Sequence, residues 1–179
     1  DKGLGFSSVS ANLTSDVSAV SETTGAFAVL KTDGSVVTWG NASYGGNSSA
    51  VAAQISSNVD SITSTVQAFA ALKSDGSVVT WGDASYGGDS SGVAAQISSN
   101  VVSITSTAQS FAALKSDGSV VTWGVGANGG DSSGVAAQIS SNVSSIYSTQ
   151  LAFAALKTDG SVVTWGDAGN GGDSSVVAA

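Results

Sequence analysis

The sequence predicts an all-β protein of four tandem 42-residue repeats, each forming one propeller-like blade. Three observations predict it. The octet "DGSVVTWG" stands at Asp33–Gly40 and returns at Asp75–Gly82, Asp117–Gly124 and Asp159–Gly166 with no insertion or deletion between copies. Short runs rich in Val, Ile and Thr surround it, and branched side chains of this kind pack well on a pleated surface. Finally, the middle run of each unit is apolar on both faces, so its sheet must be covered on both sides. An open β-solenoid or a superhelical stack of hairpins would satisfy the same pattern.

The third copy shows each element in turn. Val101–Thr107 reads as a strand with Val102 and Ile104 on one face and Ser103, Thr105 and Thr107 on the other. In the next strand, Ser110–Ser116, Phe111 and Ala113 point one way, Ala112 and Leu114 the other. Asp117-Gly118 then predicts a tight hairpin of type I′, which needs positive φ at both central positions. The same turn is expected at Asp33-Gly34, Asp75-Gly76 and Asp159-Gly160. Ser119–Gly124 is the third strand. A Gly-rich loop, "GVGANGGDSSG", follows, and Val135–Val143 reads as irregular or as an outer edge strand.

The expected organisation is a single repeat domain over 1–179, with units at 12–53, 54–95, 96–137 and 138–179 and a partial repeat at 1–11. Residues 1–11 and 169–179 hold the same phase, and "SSVSA" (Ser7–Ala11) partly matches "SVVAA" (Ser175–Ala179). A ring closed by its own ends would need complementary pieces. The expectation is therefore a segment of a longer array, or an open arrangement whose ends meet neighbours; the degenerate "DKGLGF" favours a terminus on its own side. With no Met and no charged-then-apolar leader, the chain reads as a mature or excerpted product.

Composition narrows the function classes. Five Lys stand against thirteen acidic residues, for a net charge of −8. Phosphate backbones are bound by clustered cations, so no nucleic-acid partner is expected. The longest apolar run, Leu151–Leu156, has six residues. A spanning helix needs about 20, so no membrane insertion is expected. Cys and His are absent, which removes the usual zinc, haem and iron–sulfur ligands. The Gly, Ser, Thr, Ala and Val content is that of secreted surface proteins, and an extracellular or cell-surface location is expected.

The run Phe27–Asn41, "FAVLKTDGSVVTWGN", followed by Gly45-Gly46, resembles the regulator-of-chromosome-condensation repeat. That repeat runs from a small-residue strand through a Gly-containing turn to a strand ending in Trp-Gly, then a Gly-rich stretch. The resemblance covers nearly the whole chain and implies one β-propeller blade per repeat. Departures are the shorter period, the absence of His (Ala26, Ala68, Ser110 and Ala152 stand near its place) and Gly129-Gly130-Asp131 in place of the usual ending.

Candidate functional residues each have a plainer reading beside them. The aromatic series Phe27, Phe69, Phe111, Phe153 and Trp39, Trp81, Trp123, Trp165 reads as structural core rather than as a stacking platform. Asp83 with Asp89, and Asp167 with Asp173, flank Gly-rich loops and are the calcium candidates; Asx-type turns are the alternative. Thr63 with Thr65 and Thr105 with Thr107 alternate as on crystal-facing sheets, but Ser21 to Thr23 and Tyr147 to Thr149 break the ladder, so a solvated strand face is expected. Lys31 with Asp33 and its copies suits surface turns, because an acid–base pair belongs in one unique pocket. Asn12, Asn41, Asn47 and Asn142 open Asn-X-Ser/Thr triplets. Variation among Tyr44, Tyr86, Asn128 and Asn170 marks where a ligand would discriminate between copies.

These observations predict no enzyme, no resident cofactor beyond the calcium candidates, and a structural or adhesive repeat protein that self-associates into a fibre or sheath. Its partners would be copies of itself or further repeats. The alternative is a propeller-type platform for a protein or glycan.

Overall fold

The computed structural model describes residues 13–175 and 177. Within them lie four three-stranded antiparallel sheets, one per repeat, and no α-helix. Blade 1 comprises β1 (Val17–Glu22), β2 (Ala26–Lys31) and β3 (Val36–Gly40), and blade 2 comprises β4 (Val59–Ser64), β5 (Ala68–Lys73) and β6 (Val78–Gly82). Blade 3 holds β7 (Val101–Ser106), β8 (Ser110–Lys115) and β9 (Val120–Gly124). Blade 4 holds β10 (Val143–Ser148), β11 (Ala152–Lys157) and β12 (Val162–Gly166). The second strand is central in every sheet. The proposed partial repeat at 1–11, its phase match and Asn12 lie outside the described residues.

Three local features differ from the sequence expectation. The first strand carries a bulge: Val101 pairs with Lys115 but Ser103 pairs with Leu114, leaving Val102 as the extra residue. Val101 therefore takes the buried position at 4% exposure, and Val102 is turned out at 53%. Ile104, set beside Val102 by simple alternation, packs instead against the interior.

The hairpin is a three-residue loop rather than a type I′ turn. Gly34 N–H donates to the Lys31 carbonyl, 2.9 Å, and Lys31 N–H to the Ser35 carbonyl, 2.9 Å. Gly34 alone is left-handed, at φ +78, while the described non-glycine residues with positive φ are Asp16, Asn58, Asn100 and Asn142. Thr32 and Asp33 thus form an ordinary turn that a glycine bulge closes. Asp33 Oδ1 fixes it, accepting from the Ser35 amide at 2.9 Å and the Ser35 hydroxyl at 2.6 Å.

Residues 136–142 form no edge strand. Gln138 and Ile139 N–H groups both turn back to the Val135 carbonyl, and the Ile139 carbonyl accepts from Val120. The segment is consumed by local turns, with buried Ile139 as its anchor between blades.

Each apolar cluster spans two blades. Ala26, Ala28 and Leu30 of β2 meet Phe69 and Ala71 of β5 and Val79 and Trp81 of β6, with Ile55 of the connection closing the layer. The next two gaps repeat this set. One face of every central strand is small, Ala-Ala-Leu in three blades and Ser110-Ala112-Leu114 in blade 3; the other is large, Phe plus its cross-strand Trp. Small against large lets the sheets interdigitate without voids. Phe69 and Trp81 stack at 5.3 Å between centroids, and burying a side chain of this size contributes about 1.5–3 kcal/mol.

Glycine completes the gap. Gly87 stands at φ +93, and a Cβ there would lie 2.6 Å from the Phe111 ring of the next blade. Gly87→Ala is expected to cost roughly 2–4 kcal/mol, from a left-handed alanine plus forced repacking. Gly171 has φ +97 but nothing within 4 Å of its Cβ position, so Gly171→Ala should cost only about 1–2 kcal/mol. Urea unfolding compares the two; equal losses would remove the ring contact as the cause.

Candidate functional site

Polar groups repeat as faithfully as the apolar ones, and most of them join blades. Trp81 Nε1–H donates to the Gly45 carbonyl of the preceding blade at 3.1 Å, and Trp123 and Trp165 repeat the bond to Gly87 and Gly129. A backbone relay crosses the blades: Thr24 N–H to the Val66 carbonyl, Val66 N–H to Ala108, and Ala108 N–H to Gln150. Hydroxyls of Ser21, Thr63 and Thr105 donate to the carbonyls of Ile62, Ile104 and Ile146 on the following first strand. Consecutive first strands therefore converge, and the blades radiate from that side.

The threonines expected on a solvated face are largely enclosed. Thr65 is 4% exposed; its Oγ1 accepts from the Ala68 amide and donates to the Tyr86 carbonyl, 3.0 Å each. Thr107 repeats this with Ser110 and Asn128. The alternating pattern was readable, but its face was not, because the covering loop comes from 21 residues further along the chain.

The calcium candidates close turns. Asp83 Oδ1 accepts from the Ser85 amide and Asp89 Oδ1 from the Ser91 amide, both at 2.8 Å. Asp167 Oδ1 accepts from the Asn170 amide and side chain, and Asp173 Oδ1 from the Ser175 amide. Among the described residues no three His, Cys, Asp or Glu side chains gather around one point. In the Lys–Asp pairs the partners also part: Lys73 Nζ donates to the Gln54 carbonyl at 2.7 Å, while Asp75 Oδ1 accepts from Ser77. Asn41 and Asn47 likewise cap local turns through Oδ1.

The variable series lies on one rim. Tyr44 and Tyr86 are half-buried against the blade clusters. Asn128 Nδ2 donates to Gln109 Oε1 at 2.7 Å, and Asn170 Nδ2 to Asp167 Oδ1 at 2.8 Å. Nearby, Glu22, Thr24, Ser64, Val66 and Ala108 line a shallow depression.

The first and last described blades each have one face that no described blade covers. Phe69, Phe111 and Phe153 are buried, but Phe27, placed in the core by its sequence register, is 40% exposed. The reason is geometric: each phenylalanine is covered by the small face and glycine of the blade before it. Val17 and Val20 are open beside Phe27, whereas Val59, Val101 and Val143 are buried. At the other end Val162 is 54% exposed. A cavity of about 110 Å³ there is lined by Gly171, Ala152, Ala154 and the rim residue Tyr147.

Structural comparison gives this arrangement relatives. Prp20p from Saccharomyces cerevisiae, whose structure was described with its binding to Gsp1p and histones, superposes with a TM-score of 0.58 at 18% identity. That match covers 84% of this chain and 44% of the other. Yeast RCC1 (Prp20) bound to Kap60 gives 0.59 at 17% identity, covering 84% and 43%. Human WBSCR16 gives 0.55 at 18%, covering 87% and 48%.

The fold is that of RCC1-type propeller blades. The chain spans about half the length of the RCC1-type structures it matches. No protein-family model matches it, and no curated protein does.

Titration of the RCC1-type hairpins is set by their serines. Asp33, Asp75, Asp117 and Asp159 are held below their ordinary 3.8, first by the serine hydroxyl two residues on and then by its amide. A lowered folded pKa stabilises the fold above the unfolded value and loses that stabilisation as pH falls through the folded one. The four turns should therefore weaken from roughly pH 5 downward. Changing all four to Asn should flatten that acid loss, read by urea midpoints across an acid titration; an unchanged slope would contradict it.

Proposed function

We propose that the protein is a non-enzymatic structural repeat protein of the cell exterior that associates through its own blades. One observation carries this reading: many of the residues kept identical through four copies join one blade to the next. Phe and Trp fill the gap, Gly admits the ring, the Trp indole bonds the Gly carbonyl, and threonine ties the rim loop. A repeat held constant for packing presents many equal contacts, which suits assembly. The low positive charge and small polar side chains fit an outer surface.

Light scattering across a concentration series, with negative-stain imaging, tests the reading. Mass should rise with concentration, and rods or rings should be visible. A strict monomer at high concentration would contradict it.

A second reading is favoured by the rim, where the copies differ in chemistry at Tyr44, Tyr86, Asn128 and Asn170. There the blades serve as a platform for a protein or glycan; Prp20p, described with its binding to Gsp1p and histones and in complex with Kap60, supports this for proteins. Pull-down or glycan-array binding that Tyr86→Ala abolishes supports the platform. Binding that survives the substitution moves the site off this rim.

A further inference from the structure

We propose that Asn128 is a self-modification site: its side-chain amide is lost by ring closure onto the Gly129 nitrogen, the closed joint between blades 3 and 4 holds that reaction off, and the product weakens the joint. The Asn-Gly pairs of the chain are Asn128-Gly129 and Asn170-Gly171, and the first is enclosed between two described blades. Asparagine is among the thermally labile residues, and a following glycine has no Cβ to hinder the attack.

The chemistry needs only water. The Gly129 nitrogen gives up its proton and forms a bond to Asn128 Cγ; the Cγ–Nδ2 bond breaks, and ammonia leaves with that proton. Water then opens the cyclic imide. Opening at Cγ gives aspartate; opening at the Asn128 main-chain carbonyl gives isoaspartate, whose main chain runs through Cβ and Cγ. In the Asp-Gly hairpins the same closure would have to expel water from an anionic carboxylate. Asp117 Oδ1, for one, is held by the Ser119 amide at 2.9 Å and its hydroxyl at 2.6 Å. The amide of Asn128 is the more reactive centre.

Contacts from both blades keep that amide off the nitrogen. Asn128 Nδ2 donates to Gln109 Oε1 at 2.7 Å, and the Asn128 carbonyl accepts from Thr107 Oγ1 at 3.2 Å. Gly129 N–H donates to the Gly126 carbonyl at 3.2 Å. From blade 4, Trp165 Nε1–H donates to the Gly129 carbonyl at 3.1 Å, and the Phe153 ring occupies the space a Cβ of Gly129 would need. Bringing Cγ onto the nitrogen turns Asn128 and Gly129 together, which these contacts prevent until blade 4 moves away. The rate then follows the population of the open joint. The product acts back on the same joint. Isoaspartate adds a main-chain methylene just before Gly129, where Phe153 leaves no room, and it removes the donor to Gln109.

The test incubates the full 179-residue chain at mildly alkaline pH with and without urea, and reads residue 128 by peptide mass spectrometry that separates aspartate from isoaspartate. Amide loss should run about a hundredfold slower in the folded chain than in urea, and rise roughly tenfold in folded Phe153→Leu and Gln109→Ala. Equal rates in the folded and unfolded chain, or wild-type rates in both variants, would overturn the gate. An Asn128 that stays intact in urea would overturn the chemistry. Aged wild-type chain carrying isoaspartate at 128 should unfold at a lower urea midpoint than fresh chain. Asn128→Tyr, which places there the residue of Tyr44 and Tyr86 and retains Asn170, should keep its midpoint through the same ageing. An unchanged midpoint in the modified wild-type chain would overturn the effect on the joint.

Discussion

The contact on which this structure depends is the one between a phenylalanine ring and a left-handed glycine across the gap between blades. At Gly45 a Cβ would lie 2.5 Å from Phe69, so only glycine lets the ring reach the alanines beneath it. Once the ring is seated, the Trp stacked on it brings its indole N–H to the same glycine's carbonyl. One residue thus supplies both the room and the acceptor. A lone three-stranded sheet of this kind would leave both apolar faces in water; stacked through this contact, each blade covers the next.

Much of this was legible in the sequence. The fixed period, the three strands and the two-sided apolar pattern follow from periodicity, and the opposite facing of Phe111 and Ala112 is that of the two gaps they occupy. What escaped is what depends on partners distant in sequence or on backbone detail. The bulge at Val102 shifts a strand by one residue, which alternation alone does not register. The hairpin is a three-residue loop with only Gly34 left-handed and Ser35 holding Asp33, a choice that the Asp-Gly pair does not distinguish from a type I′ turn. Thr65 looked solvated because the loop that covers it belongs to the far end of its own repeat. Phe27 shares the register of the buried phenylalanines, yet no described blade lies against its ring.

The same economy bears on the site. Carboxylates that flank Gly-rich loops suggest metal binding by composition; Asp83, Asp89 and Asp173 each offer Oδ1 to a nearby amide and fix a bend. Among the positions that differ between copies are those on the rim, where Tyr44 and Tyr86 give way to Asn128 and Asn170. Architecture is held by the constant positions, and any selectivity the protein has would be carried by the variable ones.

The central claim is most directly tested by a double-mutant cycle joining Gly45→Ala and Phe69→Leu, read by urea unfolding. If the ring and the glycine act as one contact, the cost of Gly45→Ala should shrink when the ring is gone, with a coupling on the order of 1 kcal/mol or more. Strict additivity of the two changes would contradict the account, because it would mean that the blades are held together by something other than this contact.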